Sequence, residues 1–157
     1  EKRIVLVALE CETAEVLYHS LAQQFHISSV IFEKKENRFT FLRRRWRRQG
    51  FRAVVGQVLF QLIIPTLLKP FSQKRIEEIR KNNNLTGGPI PEQLIVRVDS
   101  VNHPKTSGIL REARPDAIVL HGTRIVSKAT LEAVKCPWIN IHAGVTPQYR
   151  GSHGGYW

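Results

Sequence analysis

Cysteine is scarce in this chain: Cys11 and Cys136 are its whole complement in 157 residues, and they form no pair at metal-binding spacing. That excludes a disulfide-stapled scaffold and a zinc knuckle, and it makes a reducing, cytoplasmic setting the default. Acidic residues are short as well, with 13 Asp and Glu against 24 Lys and Arg, a formal charge of +11. Internal repeats, low-complexity tracts and a secretory signal are all lacking. The first residue is Glu1 rather than Met, so a trimmed start is expected. What is present is globular in composition. Apolar residues make up 42% and charged residues 24%, which argues against disorder, and the length suits one domain with a sizeable core.

The basic excess is concentrated. Between Lys34 and Arg52, nine Lys and Arg stand against Glu36 alone, a net of +8. Such a block speaks about partners and solubility, and is silent about fold.

Hydrophobic patterning predicts the elements. Arg3 to Leu9 reads RIVLVAL, a continuous β-rich run suited to a parallel strand covered on both faces. Thr13 and Glu15 mark a helix start, and Val16, Leu17, Leu21 and Phe25 follow at helical spacing. Ile27 to Phe32 (ISSVIF) is a second strand, which completes a βαβ unit. The alternation then breaks: residues 34–84 are basic and apolar without strand punctuation and read as a helical insertion. The rhythm resumes with strands at Gln93 to Val98, Asp116 to His121 and Trp138 to His142, separated by helices at Lys105 to Arg114 and Lys128 to Val134. This predicts an α/β fold, a Rossmann-like, mostly parallel twisted sheet with helices on both faces and the insertion after its second strand.

In such sheets ligands bind outside the carboxyl ends of the strands. Two ends carry polar residues: His121-Gly122-Thr123-Arg124, and Asn140-Ile141-His142-Ala143-Gly144. Strand alternation sends Asn140 and His142 to one face and Ile141 to the other. An amide donor beside an imidazole suits a reaction in which negative charge develops on an oxygen, and the imidazole can move a proton near neutral pH. Two satisfied polar residues at a strand terminus have the same spacing, which alone does not choose between these readings. For His121 a site role and a structural role are both open. Nothing basic adjoins Cys11 in sequence, so it reads as inert packing.

The segment Trp138 to Gly151, WINIHAGVTPQYRG, resembles the signature of the 10-formyltetrahydrofolate-dependent formyltransferases. That signature is a strand ending in Asn-x-His, a short turn, Pro, and an aromatic-basic-Gly loop. Asn140, His142, Pro147, Tyr149, Arg150 and Gly151 stand at those places. Gly122 to Ser127, followed by a helix, is similar to the family's pterin-binding turn and lies at the family's distance before the Asn. The clear resemblance covers Pro115 to Trp157, and the N-terminal half fits as fold alone. It implies formyl transfer from 10-formyltetrahydrofolate to an amine. Asn140 would donate to the oxygen that gains charge, and His142 would stabilise that oxygen and relay protons. Backbone groups of Thr123, Arg124, Ile125 and Val126 would hold the pterin, and no metal is implied. The family's third catalytic residue, an Asp on a later loop, has no counterpart before Trp157. Residues 1–157 are therefore expected to be an incomplete domain, not competent alone. Gly144-Val145-Thr146-Pro147 also departs from the family's Ser-Leu-Leu-Pro.

The acceptor is approached by exclusion. The loop after the first strand, Leu9-Glu10-Cys11-Glu12-Thr13, has no Gly and two carboxylates, which argues against a phosphate-bearing purine precursor. An amino group on a sugar nucleotide or a lipid-linked sugar is the favoured acceptor. A methionyl-tRNA-type acceptor is an alternative, as is a non-catalytic basic module that binds membrane or RNA. In the insertion, LRRRWRRQGFR at 42–52 is followed by AVVGQVLFQLIIPTLL at 53–68. The apolar run is interrupted by Gly56, Gln57, Gln61 and Pro65 and falls short of the roughly twenty residues of a spanning helix, so none is expected. A polybasic, aromatic stretch beside an apolar helix instead suits residues 42–70 lying on an anionic membrane surface. Nucleic acid is the weaker rival. A third reading is a solvated face whose apolar side covers the domain or a second subunit of a homo-oligomer.

Overall fold

The computed structural model describes residues 2–35, 43, 46, 47, 50–85 and 87–142. In chain order these form β1 (Arg3–Leu9), α1 (Glu12–Ala22), β2 (His26–Glu33), α2 (Phe51–Asn82), a 3-10 turn (Glu92–Leu94), β3 (Ile95–Val98), α3 (Pro104–Ala113), β4 (Ala117–His121), α4 (Lys128–Glu132) and β5 (Trp138–Ile141). The chain divides into two compact units, residues 1–34 with 86–157, and residues 35–85.

In the first unit the strands pair in parallel in the order β3-β2-β1-β4-β5. The continuous apolar runs explain the arrangement, because both faces of the central strands are covered. Leu6 and Ala8 of β1 join Phe32 of β2 and Ala14 and Tyr18 of α1 in one cluster. The alternate residues Val5 and Val7 join Ile31, Ile118, Val101 and Leu110 of α3 in a second cluster on the opposite face. Each of Val5 to Ala8 is completely buried. A side chain the size of Leu6 stabilises the fold by about 1.5–3 kcal/mol through this burial. The doubly covered parallel sheet is the Rossmann-like architecture that the patterning predicts.

Local chemistry sets the element ends. Cys11 is the N-cap of α1 and makes no side-chain cap bond, and the Thr13 hydroxyl in the first turn meets His121. The helix stops at Ala22, so Phe25 does not extend the buried face and is 47% exposed. Residues 92–94 take a 3-10 turn, which shortens β3 relative to the apolar pattern. At α3, Pro104 fills the first turn, where its missing N–H costs nothing, and the His103 ring accepts from the Lys105 N–H at 3.2 Å.

The second unit is dominated by α2, a helix of 32 residues that continues through Pro65 and Pro70. Thr66 and Ser72 hydroxyls donate back to the carbonyls of Leu62 (2.7 Å) and Leu68 (2.9 Å), adding bonds where prolines thin the backbone ladder. This corrects the expectation drawn from the interrupted apolar run. By length and composition alone, Val54–Asn82 is long and apolar enough to cross a membrane.

Candidate active site

The carboxyl ends of the five strands form one rim. Parallel register aligns Ala8, His121 and Ile141 in one row, and Leu9, Glu33 and Val98 in the row beside it. Beyond β4 the chain turns at Gly122, whose φ of +68° lies in the left-handed region that favours glycine. The turn then runs through Thr123, Arg124, Ile125 and Val126 to Ser127, the N-cap of α4, whose hydroxyl accepts from the Thr130 N–H at 3.2 Å.

Two side chains hold this turn. Glu33, at the end of β2, is 1% exposed. Its carboxylate accepts from the Val101 N–H at 2.8 Å and the Arg124 N–H at 2.9 Å. The Arg124 guanidinium lies 3.5 Å from the same carboxylate and donates to the carbonyls of Lys34 (2.8 Å) and Asp99 (3.1 Å). Asn102 completes the clamp: its amide N–H donates to the Ile125 carbonyl at 2.9 Å, and its amide oxygen accepts from the Ser127 N–H at 2.7 Å. Sequence reasoning passed over both residues. An acid closing the apolar strand ISSVIFE was the available signal for Glu33, whereas Asn102 had none.

Three of the turn residues have different tasks. The Arg124 side chain is committed to the scaffold. Ile125 projects into solvent at 93% exposure, and Val126 packs against the second cluster. The Ile125 N–H and both backbone groups of Val126 have no hydrogen-bond partner among the described residues.

Asn140 is exposed on β5, in register with Leu120 and on the face that carries Trp138 and the second cluster. His142, partly exposed, lies one residue past the end of that strand. The remaining signature residues, Pro147, Tyr149, Arg150 and Gly151, fall outside the described residues. His121 projects to the opposite face, toward α1, since its register partner Ala8 belongs to the first cluster. Its Nε2 lies 2.9 Å from the Thr13 hydroxyl, which is itself 3.2 Å from the Cys11 Sγ. The fold therefore brings an imidazole within one hydroxyl of Cys11, a proximity absent from the linear sequence. Burial pushes the His121 imidazole below the usual histidine range.

A polar cleft of about 360 Å³ opens beside the ends of β1, β2 and β3, lined in part by Glu10, Lys34, Arg97, Asp99, His103 and Lys105. Arg97 bonds Glu10 at 3.0 Å and also pairs with Glu92, holding the Glu92 carboxyl below its ordinary value. One of the two carboxylates that weigh against phosphate in the β1 loop is therefore neutralised by an arginine.

No family model matches the chain. Over 58 residues it is 34% identical to a methionyl-tRNA formyltransferase of Chlorobium luteolum, a match covering 37% of this chain and 18% of that protein. Its fold is similar to the crystal structure of phosphoribosylglycinamide formyltransferase from Streptococcus pneumoniae TIGR4, with a TM-score of 0.51 and 15% identity. That likeness covers 98% of this chain and 63% of the solved one, so the chain spans less than two thirds of either relative.

Proposed function

We infer that this chain, which carries an α/β domain of the formyltransferase type, belongs to an enzyme that moves a formyl group from 10-formyltetrahydrofolate to an amine. The observation that carries this reading is the pairing of two strand ends on one rim: Asn140 with His142 after β5, and the clamped Gly122–Ser127 turn after the neighbouring β4. Adjacent strands lie about 4.8 Å apart, so a ring held on the turn brings its substituent beside the amide. The folate supplies an electrophilic one-carbon carbonyl. Asn140 donates a hydrogen bond to its oxygen as negative charge grows there, and His142 stabilises that charge and passes protons. The Ile125 N–H and the backbone of Val126 hold the pterin, and the exposed Ile125 side chain covers its face.

The acceptor amine enters from the polar cleft. Lys34 and Lys105 suit an anionic diphosphate, and Asp99 suits an ammonium, a combination that favours an aminosugar nucleotide or its lipid-linked counterpart. The 58-residue match supports a second reading, with an aminoacyl-tRNA as acceptor. Full-length protein, 10-formyltetrahydrofolate and a panel of aminosugar nucleotides separate these, with initiator methionyl-tRNA in a parallel arm. Release of tetrahydrofolate with a 28 Da mass gain, roughly that of replacing N–H by N–CHO on the sugar, supports the first reading. Formylation of the tRNA alone transfers the assignment to the second, and turnover with neither acceptor overturns the sugar and tRNA readings together.

A further inference from the structure

We propose that the second unit, residues 35–85, embeds the apolar part of α2 in an anionic lipid bilayer, with its basic and aromatic entry at the headgroup layer. Along α2, Leu59, Phe60, Leu62, Leu67 and Phe71 are each between 51% and 82% exposed. With Ile64 and Leu68, which are also exposed, these positions spread over about two thirds of the circumference at 3.6 residues per turn, wider than one stripe. Soluble monomers rarely expose a continuous apolar surface of this kind. From Ala53 to Leu68 the helix holds sixteen uncharged residues, bounded by Arg52 and Lys69. That stretch is about 24 Å long, close to the roughly 30 Å of a hydrocarbon core, and flanking Arg and Lys can reach the interface.

Charge selects the partner. The nine basic residues between Lys34 and Arg52 precede the apolar turns directly, and anionic lipid satisfies both features at once. RNA would neutralise the arginines and leave the apolar turns in water. A second copy would cover those turns but bring two blocks of net +8 together. At the junction the Trp46 and Phe51 rings meet with centroids 5.3 Å apart. They line an apolar cleft of about 690 Å³ that Arg43 and Arg47 also line. Aromatic rings beside arginines are suited to the membrane–water boundary.

The test needs no catalytic activity, so its outcome stands apart from the formyl-transfer reading. Full-length protein is floated with phosphatidylcholine vesicles, with and without one third phosphatidylglycerol. Binding to the anionic vesicles exceeds binding to neutral ones at least about tenfold, and R43E/R47E removes that difference. L59E/F60E, which alters only exposed side chains, abolishes flotation while the circular-dichroism melt is retained. Brominated lipid quenches Trp46 fluorescence, and the quenched component disappears in W46F. Should either double variant fail to fold, quenching of the unaltered protein decides the matter alone. Protein that stays in the lipid-free fraction overturns the proposal. So does RNA binding without flotation, or self-association that L59E/F60E prevents in the absence of any vesicle binding.

Discussion

Asn140 presents its amide at an exposed strand end, so its replacement tests chemistry with little risk to the core. Removing one donor to a developing oxyanion typically costs about 10²–10³ in turnover. N140A in the full-length protein should therefore lose formyl transfer by that factor in kcat and keep its thermal melt. A melt that collapses with the activity would assign Asn140 to packing. His121 presents the opposite case, a titratable group already occupied by structure. Its Nε2 bonds Thr13, its Nδ1 is buried without a partner among the described residues, and burial lowers its affinity for protons. Below about pH 6.5 the unfolded chain binds a proton that the folded imidazole still refuses. The folded state thus keeps its full stability above that pH and loses stability as pH falls toward the lowered folded value. Melts recorded between about pH 8 and pH 5.5 should show this acid loss, and H121N should reduce it. An unchanged slope in H121N would place the titration elsewhere.

At the scale of elements, the rim is built by contacts between strand ends that are far apart in sequence. Glu33 joins the end of β2, the loop before α3 and the turn before α4 through bonds to Val101 and Arg124. E33A leaves the buried Val101 N–H and the part-buried Arg124 N–H unpaired and should cost about 3 kcal/mol in urea denaturation. E33Q, which retains one acceptor, should cost less. The same junction shows what the sequence could reveal. The central strands were legible because each is an apolar run covered on both faces, so β1 matches the pattern residue for residue at Arg3–Leu9. Asn140 and His142 could be singled out only through the resemblance of the segment Trp138 to Gly151 to a family signature, since strand-end spacing alone does not choose a site role. Glu33, Asn102 and the Arg97–Glu10 pair were not, because each acts across 23 to 91 positions, and no local period reports such contacts. The helical insertion was legible over 34–84, whereas the continuity of α2 through its two prolines was not. Proline removes one ladder bond and disfavours the residue before it, yet an otherwise long helix tolerates two such sites.

At the scale of the whole molecule, the sheet and its insertion divide the physical work between them. Among the described residues, neither hydrophobic cluster of the α/β unit contains any from 35 to 85. The chain that re-enters after the insertion is anchored to α1: the His19 ring meets the Gly88 carbonyl at 3.2 Å, and Ile90 is buried in the first cluster. Both clusters are thus closed by residues of the first unit. Replacing residues 36–84 of the full-length protein with a short Gly/Ser linker should leave the thermal midpoint of the α/β unit within a few degrees, a change of about 1 kcal/mol or less. Solubility should rise, because the continuous apolar surface of α2 leaves with the excised segment. A midpoint that falls by much more, or a loss of the cooperative transition, would show that the insertion contributes to folding of the sheet. Formyl transfer by the excised protein to a soluble acceptor, compared with the same headgroup on a lipid, then measures what the insertion adds. Retention of the first with loss of the second would assign chemistry to the rim of the sheet and delivery to α2.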